Sequence, residues 1–389
     1  MKSFNYYQPS EIRFGTGRLK EVGEVVSKYG RRCLVVTVSD APVLKPLFRK
    51  VKTILVKAGV KVEHFDGVVL NPTTESITIG AKLAKKHNAD VVLGLGGGSS
   101  MDSAKAIAVE ATHPGTCWNY IWCRKKQPTK KTLPIITVTT TSGTGSQVTQ
   151  VTVITNTKKR DKSAIYNPII YPKVSIIDPE LMLTVPKHIT ASTGFDVFAH
   201  AFESYLHPNC SAYIELLALK AIRIVVKDLP KAVKNGASLN ARTSMAWADT
   251  LAGLCIANAG VTLPHGMGMA IGGMYPHIMH GEALAITYPI FTRYTYKSAI
   301  RKFATVARIF NKNLLSEKDE NAAKKGCEEI DNFLKKIGMF FNLEQLEVSA
   351  KELPALAKQS MVLPDYKNNP KVASLSDIKK ILKKSYNHK

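Results

Sequence analysis

From about residue 30 onward, short apolar runs alternate with helical stretches. CLVVTV is followed by a helix through VKTILVKAG, then KVEHFDGVV, a helix around ITIGAKLAKKH, ADVVLGLGGG, a further helix, and LPIITVTTT. Runs of this kind, bounded by glycine, proline or asparagine, predict buried parallel strands joined by crossover helices. The pattern continues through VTVITN and KVSIIDP and stops near DPELMLTVP, whose two prolines mark a boundary. Beyond roughly residue 185 strand signals vanish, and periodic segments such as DVFAHAFESYL, IELLALKAIRIVVKDL and ARTSMAWADTLAGLCIANAG take over. The chain therefore predicts a doubly wound α/β domain over residues 1–184 and an all-α domain over residues 185–389, in keeping with a length of 389 residues that exceeds one ordinary core.

Composition adds limits. With 45% hydrophobic and 22% charged residues and no low-complexity tract, the chain reads as globular. No apolar run approaches a membrane span, and MKSFNYYQPSEIRF lacks the apolar core of a secretion signal, so a cytoplasmic location is expected. Six scattered cysteines without a CxxC read as reduced, mostly buried thiols, Cys117 and Cys123 being the closest pair. The net charge of +24 would concentrate anions such as phosphorylated cofactors. Its lysines are spread over KLAKKHNAD, CRKKQPTKK and IKKILKKSYNHK without interleaved aromatics, which argues against a nucleic-acid partner.

The first chemical signal is ADVVLGLGGGSSMDSAKAIAVEA, an apolar strand running into Gly94, Gly96, Gly97 and Gly98 and then a helix. Consecutive glycines let backbone approach a phosphate, and the helix start supplies free N–H groups. Ser99 stands where the third glycine of GxGxxG would be, so the alternative is a plain strand-to-helix turn capped by Ser99 or Ser100. Four glycines in five residues exceed what a cap needs. A polar cluster, TTTSGTGSQVT over 139–149, follows the next strand and is placed to line the same crevice.

The second signal lies in the helical half. Asp196 and His200 are four apart, so on a helix both project from one face, an arrangement that equally suits an ordinary helix histidine. In NAGVTLPHGMGMAIGGMYPHIMHGEALA, His265, His277 and His280 fall among glycines and apolar side chains. Neutral imidazoles suit iron, zinc and other first-row divalent ions, and one carboxylate with three imidazoles would form a four-ligand site.

Taken together, DGVVLNPT, GLGGGSSMDSAKAI, TTTSGTGSQVT, STGFDVFAHAFESY and NAGVTLPHGMG followed by HG resemble the iron-containing (group III) alcohol dehydrogenase family over essentially the whole chain. The resemblance implies a Rossmann-like N-terminal domain, a helical C-terminal domain and a dehydroquinate-synthase-like architecture with a metal in the cleft. It implies Asp196, His200, His265 and His280 as metal ligands, with Fe2+ first and Zn2+ second. It also implies Gly97, Gly98, Ser99 and Asp102 around the cofactor diphosphate, and Thr140, Thr141, Thr144 and Lys162 on the nicotinamide and ribose side.

Three departures from the family pattern carry expectations. Where many members have a second histidine four residues after His265, this chain has Met269, which cannot carry a proton, and His277 is the expected replacement relay. Gln147 stands for the usual glutamate of SGTGSEVT. At the end of the first strand Val38 occupies the position that selects the cofactor; with no carboxylate there and Ser39 beside it, NADP(H) is expected as well as NAD(H), Asp40 being the alternative selector. The implied reaction is hydride transfer between the nicotinamide and a primary alcohol or aldehyde, in a homo-oligomer, with the metal polarising the substrate oxygen. Rival readings are a hydroxyacid–oxoacid transhydrogenase, a glycerol-type polyol dehydrogenase, a dehydroquinate-synthase-like lyase, or a nucleotide-binding protein that has lost catalysis.

Overall fold

The computed structural model describes residues 3–39 and 44–388. It divides into two compact units, one spanning Tyr7–Val185 and the other Pro186 to the C-terminus together with the described residues up to Tyr6.

The first unit is built on eight strands, β1 (Glu11–Phe14), β2 (Arg32–Val38), β3 (Lys61–Val68), β4 (Val91–Gly96), β5 (Ile135–Thr139), β6 (Val151–Asn156), β7 (Asp161–Tyr166) and β8 (Val174–Ile177). Six of them form a sheet in the order β1-β8-β5-β4-β2-β3, parallel throughout. Helices α1 (Val22–Tyr29) and α2 (Lys45–Lys57) pack with Cys33, Val35, Leu93 and Ile136 on one face. Helices α3 (Thr74–Lys86) and α4 (Gly98–Glu110) belong with Leu34, Val36 and Val92 on the other. Alternate strand residues thus feed opposite apolar layers, which is why these strands read as continuous hydrophobic runs. Because β2 lies between β3 and β4, the chain reverses its direction of winding there. The carboxyl ends of β2 and β4 bound the crevice where open α/β sheets bind ligands.

One expectation needs correction. VTVITN is a strand, but it leaves the parallel sheet and pairs antiparallel with β7 as a separate two-stranded ribbon. Only a short turn through Thr157–Lys159 and Arg160, the latter at φ 49°, separates the two strands, too little chain for a parallel crossover.

The second unit contains α5 (Lys187–Leu206), α6 (Ala212–Lys234), α7 (Leu239–Asn258), α8 (Leu263–Met274), α9 (His280–Thr295), α10 (Ile300–Phe310), α11 (Asp319–Ile337), α12 (Leu353–Gln359) and α13 (Leu375–Tyr386), with no strand among its described residues. Helix α5 is buried on nearly every side, its polar Asp196, His200 and Glu203 included. Phe195, Phe198 and Phe202 on it join Tyr288, Phe303 and Phe333 in an aromatic core. The sequence places the start of this helix near Gly194, whereas it begins seven residues earlier at Lys187, directly after Pro186. Gly194 is interior because Leu229 of α6 lies where a β-carbon would be, so glycine here serves a close helix crossing. No single helix among the described residues is long and apolar enough to cross a membrane. All six cysteines are free thiols, four of them buried.

Candidate metal centre and dinucleotide crevice

The three helices α5, α8 and α9 supply the cluster. On α5 the four-residue spacing stacks Asp196 and His200 on one face, with His200 Nε2 3.6 Å from Asp196 Oδ1. His265, in the first turn of α8, places its Nε2 3.6 Å from the same oxygen, and His280, the first residue of α9, places its Nε2 3.9 Å from it. The His200 and His265 rings stack at 4.7 Å. Ligand atoms of Asp196, His265 and His280 all lie within 4.8 Å of one another.

These separations suit a ligand shell better than a hydrogen-bonded cluster. They exceed a hydrogen bond, while a tetrahedral ion with bonds of roughly 2.1 Å sets its ligand atoms about 3.4 Å apart. Asp196 Oδ1 and His265 Nε2 are buried and make no hydrogen bond among the described residues, which is costly for polar atoms unless something else meets them. Burial would raise the Asp196 pKa, but His200, His280 and His265 around it hold it down to about 2. The donor set therefore fits a divalent first-row ion. His280 is 23% exposed where the other three side chains are between 3% and 7%, so the cluster opens on the His280 side.

Glycine after His280 has a specific task. A β-carbon at Gly281 would run into the Ser192 carbonyl of α5, so only glycine lets the first turn of α9 settle there and bring His280 to Asp196. His277 lies outside the group: it is exposed, its Nε2 3.4 Å from the Leu346 carbonyl and its ring against Tyr275. Met269 is buried one turn past His265.

Two acidic residues near the cluster escaped sequence reasoning. Glu203, fully buried on α5, accepts from His265 Nδ1 at 2.8 Å, Thr262 N at 2.9 Å, Thr262 Oγ1 at 3.2 Å and the Tyr288 hydroxyl at 3.1 Å. Asp365, on the turn Pro364–Asn368, packs against Gly266 beside His265. The only signal for Glu203 was its place seven residues after Asp196, two turns along the same helix face.

In the first unit, the glycine turn and the threonine cluster meet. Helix α4 starts at Gly98 with Gly97 as its N-cap and no side-chain cap, so the capped-turn alternative with Ser99 or Ser100 is not the one adopted. The side chains of Thr141 and Thr144 lie where β-carbons of Gly97 and Gly98 would be, and Thr140 N donates to the Gly96 carbonyl at 3.0 Å. Asp102 faces inward: it accepts from Ser146 Oγ at 2.6 Å and Val153 N at 3.0 Å, and so holds the loop rather than presenting a free carboxylate. Lys105, also unassigned from sequence, is completely buried and donates to the carbonyls of Ser146, Thr149 and Val151 at 2.7–2.9 Å. Burial, offset by Asp102, lowers its pKa to about 8. Gln147 is buried, with its carbonyl accepting from Ser175 Oγ. Lys162 on β7 donates to Asn71 Oδ1 at 2.7 Å. Val38 ends β2 half-buried and Ser39 is exposed; Asp40 lies outside the described residues.

The first unit is a doubly wound sheet with an uncapped glycine turn, and the helical unit carries three imidazoles around a carboxylate, a donor set able to hold a divalent ion. The iron-containing alcohol dehydrogenase family pattern matches residues 9–179, and the C-terminal pattern of the Fe-containing alcohol dehydrogenases matches residues 190–386. The chain is 34% identical to choline dehydrogenase of Bacillus subtilis, covering all of this chain and 96% of that one. It is 33% identical to 1,3-propanediol dehydrogenase of Citrobacter freundii over 99% of both. Among solved structures, an archaeal halo-thermophilic alcohol dehydrogenase from a Red Sea brine pool superposes with a TM-score of 0.95 at 33% identity, over 99% of this chain and all of that one. This chain belongs to the iron-containing alcohol dehydrogenase family.

Proposed function

We propose that the protein is a metal-dependent NAD(P)-linked dehydrogenase that interconverts a primary alcohol and its aldehyde, with Asp196, His200, His265 and His280 holding Fe2+ or, second, Zn2+. The observation that carries the reading is the convergence of three imidazole Nε2 atoms on one buried carboxylate oxygen at 3.6–3.9 Å. When bound, the ion supplies Lewis-acid polarisation of the substrate oxygen and the nicotinamide carries the hydride. The chain's own part is positioning. Asp196 would contribute the single ligand charge and the histidines would bind as neutral donors, His265 releasing the proton that, against burial, Glu203 and Asp196 hold on it by raising its pKa to about 10 in the metal-free protein.

Gly97, Gly98, Ser99 and the free N–H groups of α4 are suited to the diphosphate, with Thr140, Thr141, Thr144 and Lys162 toward the ribose and nicotinamide. Asp102 and Lys105 support that crevice by tying the loop 146–153 to α4. Neither Val38 nor Ser39 carries a carboxylate, which supports acceptance of NADPH as well as NADH. A cytoplasmic location and a homo-oligomer complete the reading.

The test is an assay of the metal-reconstituted protein with NADH and NADPH across short aldehydes, before and after chelation. Activity that disappears with the metal and returns on reloading is expected. Full activity after verified metal removal sinks the proposal, and turnover only with a paired hydroxyacid donor and oxoacid acceptor moves the protein to the transhydrogenases. Replacement of His277 that leaves turnover and its pH profile unchanged removes that residue from the scheme.

A further inference from the structure

Beyond the four side chains proposed as ligands, the helical unit holds a fully buried carboxylate on which four donors converge. The two oxygens of Glu203 divide their work. One faces His265 Nδ1 and the Tyr288 hydroxyl; the other faces Thr262 N and Thr262 Oγ1. Of the four donors, the Thr262 amide can never act as an acceptor.

We infer that Glu203 is a positioning residue that holds His265 in the tautomer protonated on Nδ1, leaving the Nε2 lone pair free for an ion lying between it and Asp196 Oδ1. The inference rests on the metal reading above. A histidine offers a metal whichever nitrogen its other hydrogen bond leaves bare, so the acceptor behind the ring selects the ligand atom in front. Tyr288, the largest fully buried side chain, packs edge-on against Phe195 of α5 and donates to the same carboxylate oxygen as His265. The aromatic core is thereby coupled to the orientation of the ligand. Glu203 also brings a second buried negative charge to the site. Asp196 and three neutral imidazoles leave a bound divalent ion with one uncompensated positive charge, and Glu203 offsets it across the His265 ring.

Glutamine at position 203 has nearly the same shape and separates this role from packing. Its amide oxygen must turn to the Thr262 N–H, because two donors cannot face each other there. The amide NH2 then faces His265 Nδ1, which has to accept, and the proton moves to Nε2 where the ion belongs. Tyr288 has no such conflict, since its hydroxyl can rotate.

The experiment is a competition titration of the metal-free full chain with Zn2+ against a chromophoric chelator, for the parent, Glu203→Gln and Tyr288→Phe. Outer-shell partners of ligating histidines are worth roughly 10–100-fold in metal affinity, and Glu203→Gln is expected to lose that much while Tyr288→Phe loses only about threefold or less. Independently of any variant, the Zn2+-loaded parent labelled with 15N-histidine should show an exchange-protected, downfield side-chain Nδ1–H. Glu203→Gln that binds Zn2+ as tightly as the parent overturns the inference, as does a loaded parent with no protected Nδ1–H. A parent that binds no Zn2+ at all overturns the metal reading instead.

Discussion

Asp365 shows what a single carboxyl group costs when it is placed beside a metal-directed histidine and another carboxylate. Burial and the nearby Glu203 charge raise its pKa, against the opposing pull of His265, to about 7. A carboxyl whose folded pKa is raised contributes fully below its unfolded value near 3.8 and loses that contribution as pH climbs through 7. For metal-free protein, Asp365→Asn is therefore expected to match the parent near pH 4 and to exceed its stability at pH 8 by the order of a few kcal/mol. Denaturant titrations at the two pH values check this; an equal difference at both removes the explanation. Asp196 and His200 were legible in the sequence because helical spacing is local, and His265 and His280 because unshielded histidines stood among glycines. Glu203 was not, since it looked like any helix glutamate until Thr262 and Tyr288, 59 and 85 positions further along the chain, arrived beside it.

At the scale of elements, the proposed ligand set depends on how α9 meets α5. Gly281 seats the first turn of α9 on the Ser192 carbonyl, and the backbone atoms there cannot step aside as a flexible side chain would. Gly281→Ala is expected to cost about 1–3 kcal/mol, as overpacking does, and to weaken metal binding by withdrawing His280 from Asp196. Thermal unfolding and a Zn2+ titration measure the two effects; unchanged values for both would show that α9 can shift freely. The parallel strands could be read from their unbroken apolar runs, a pattern produced by burial on both faces. β6 has the same texture, which by itself predicts a place in the same sheet. Its pairing with β7 depends on the short turn through Arg160, a geometric constraint that hydrophobicity does not encode. The four-residue β1 at the sheet edge carried too few apolar positions to register at all.

For the whole molecule, the proposed metal binding would be linked to stability. An ion held by the folded state and not by the unfolded chain stabilises by about 2.7 kcal/mol at a hundred times its dissociation constant. At roughly 2–4 °C per kcal/mol for a unit of this size, saturating Zn2+ should raise the unfolding midpoint by about 5–10 °C. Asp196→Asn should abolish most of the shift, because that residue would supply the only charged donor among the four proposed ligands. A parent midpoint indifferent to metal and chelator would show that the folded state does not hold the ion. The net charge of +24 works at this same scale, drawing anionic cofactors toward the surface without specifying where they dock.

What the amino-acid order determined by itself was everything that depends on neighbours a few positions apart. That covers the alternation of strand and helix, the change to all-helical texture near residue 185, the glycine turn before α4 and the shared face of Asp196 and His200. Tertiary structure alone decided that His277 turns away to the Leu346 carbonyl, that Asp102 and Lys105 brace a loop, and that Glu203 stands behind His265. These outcomes depend on the docking of α5, α8 and α9 and on the crossing of α4 with β6. Residues far apart in the chain meet there, and close packing, rather than spacing, determines which atoms face one another.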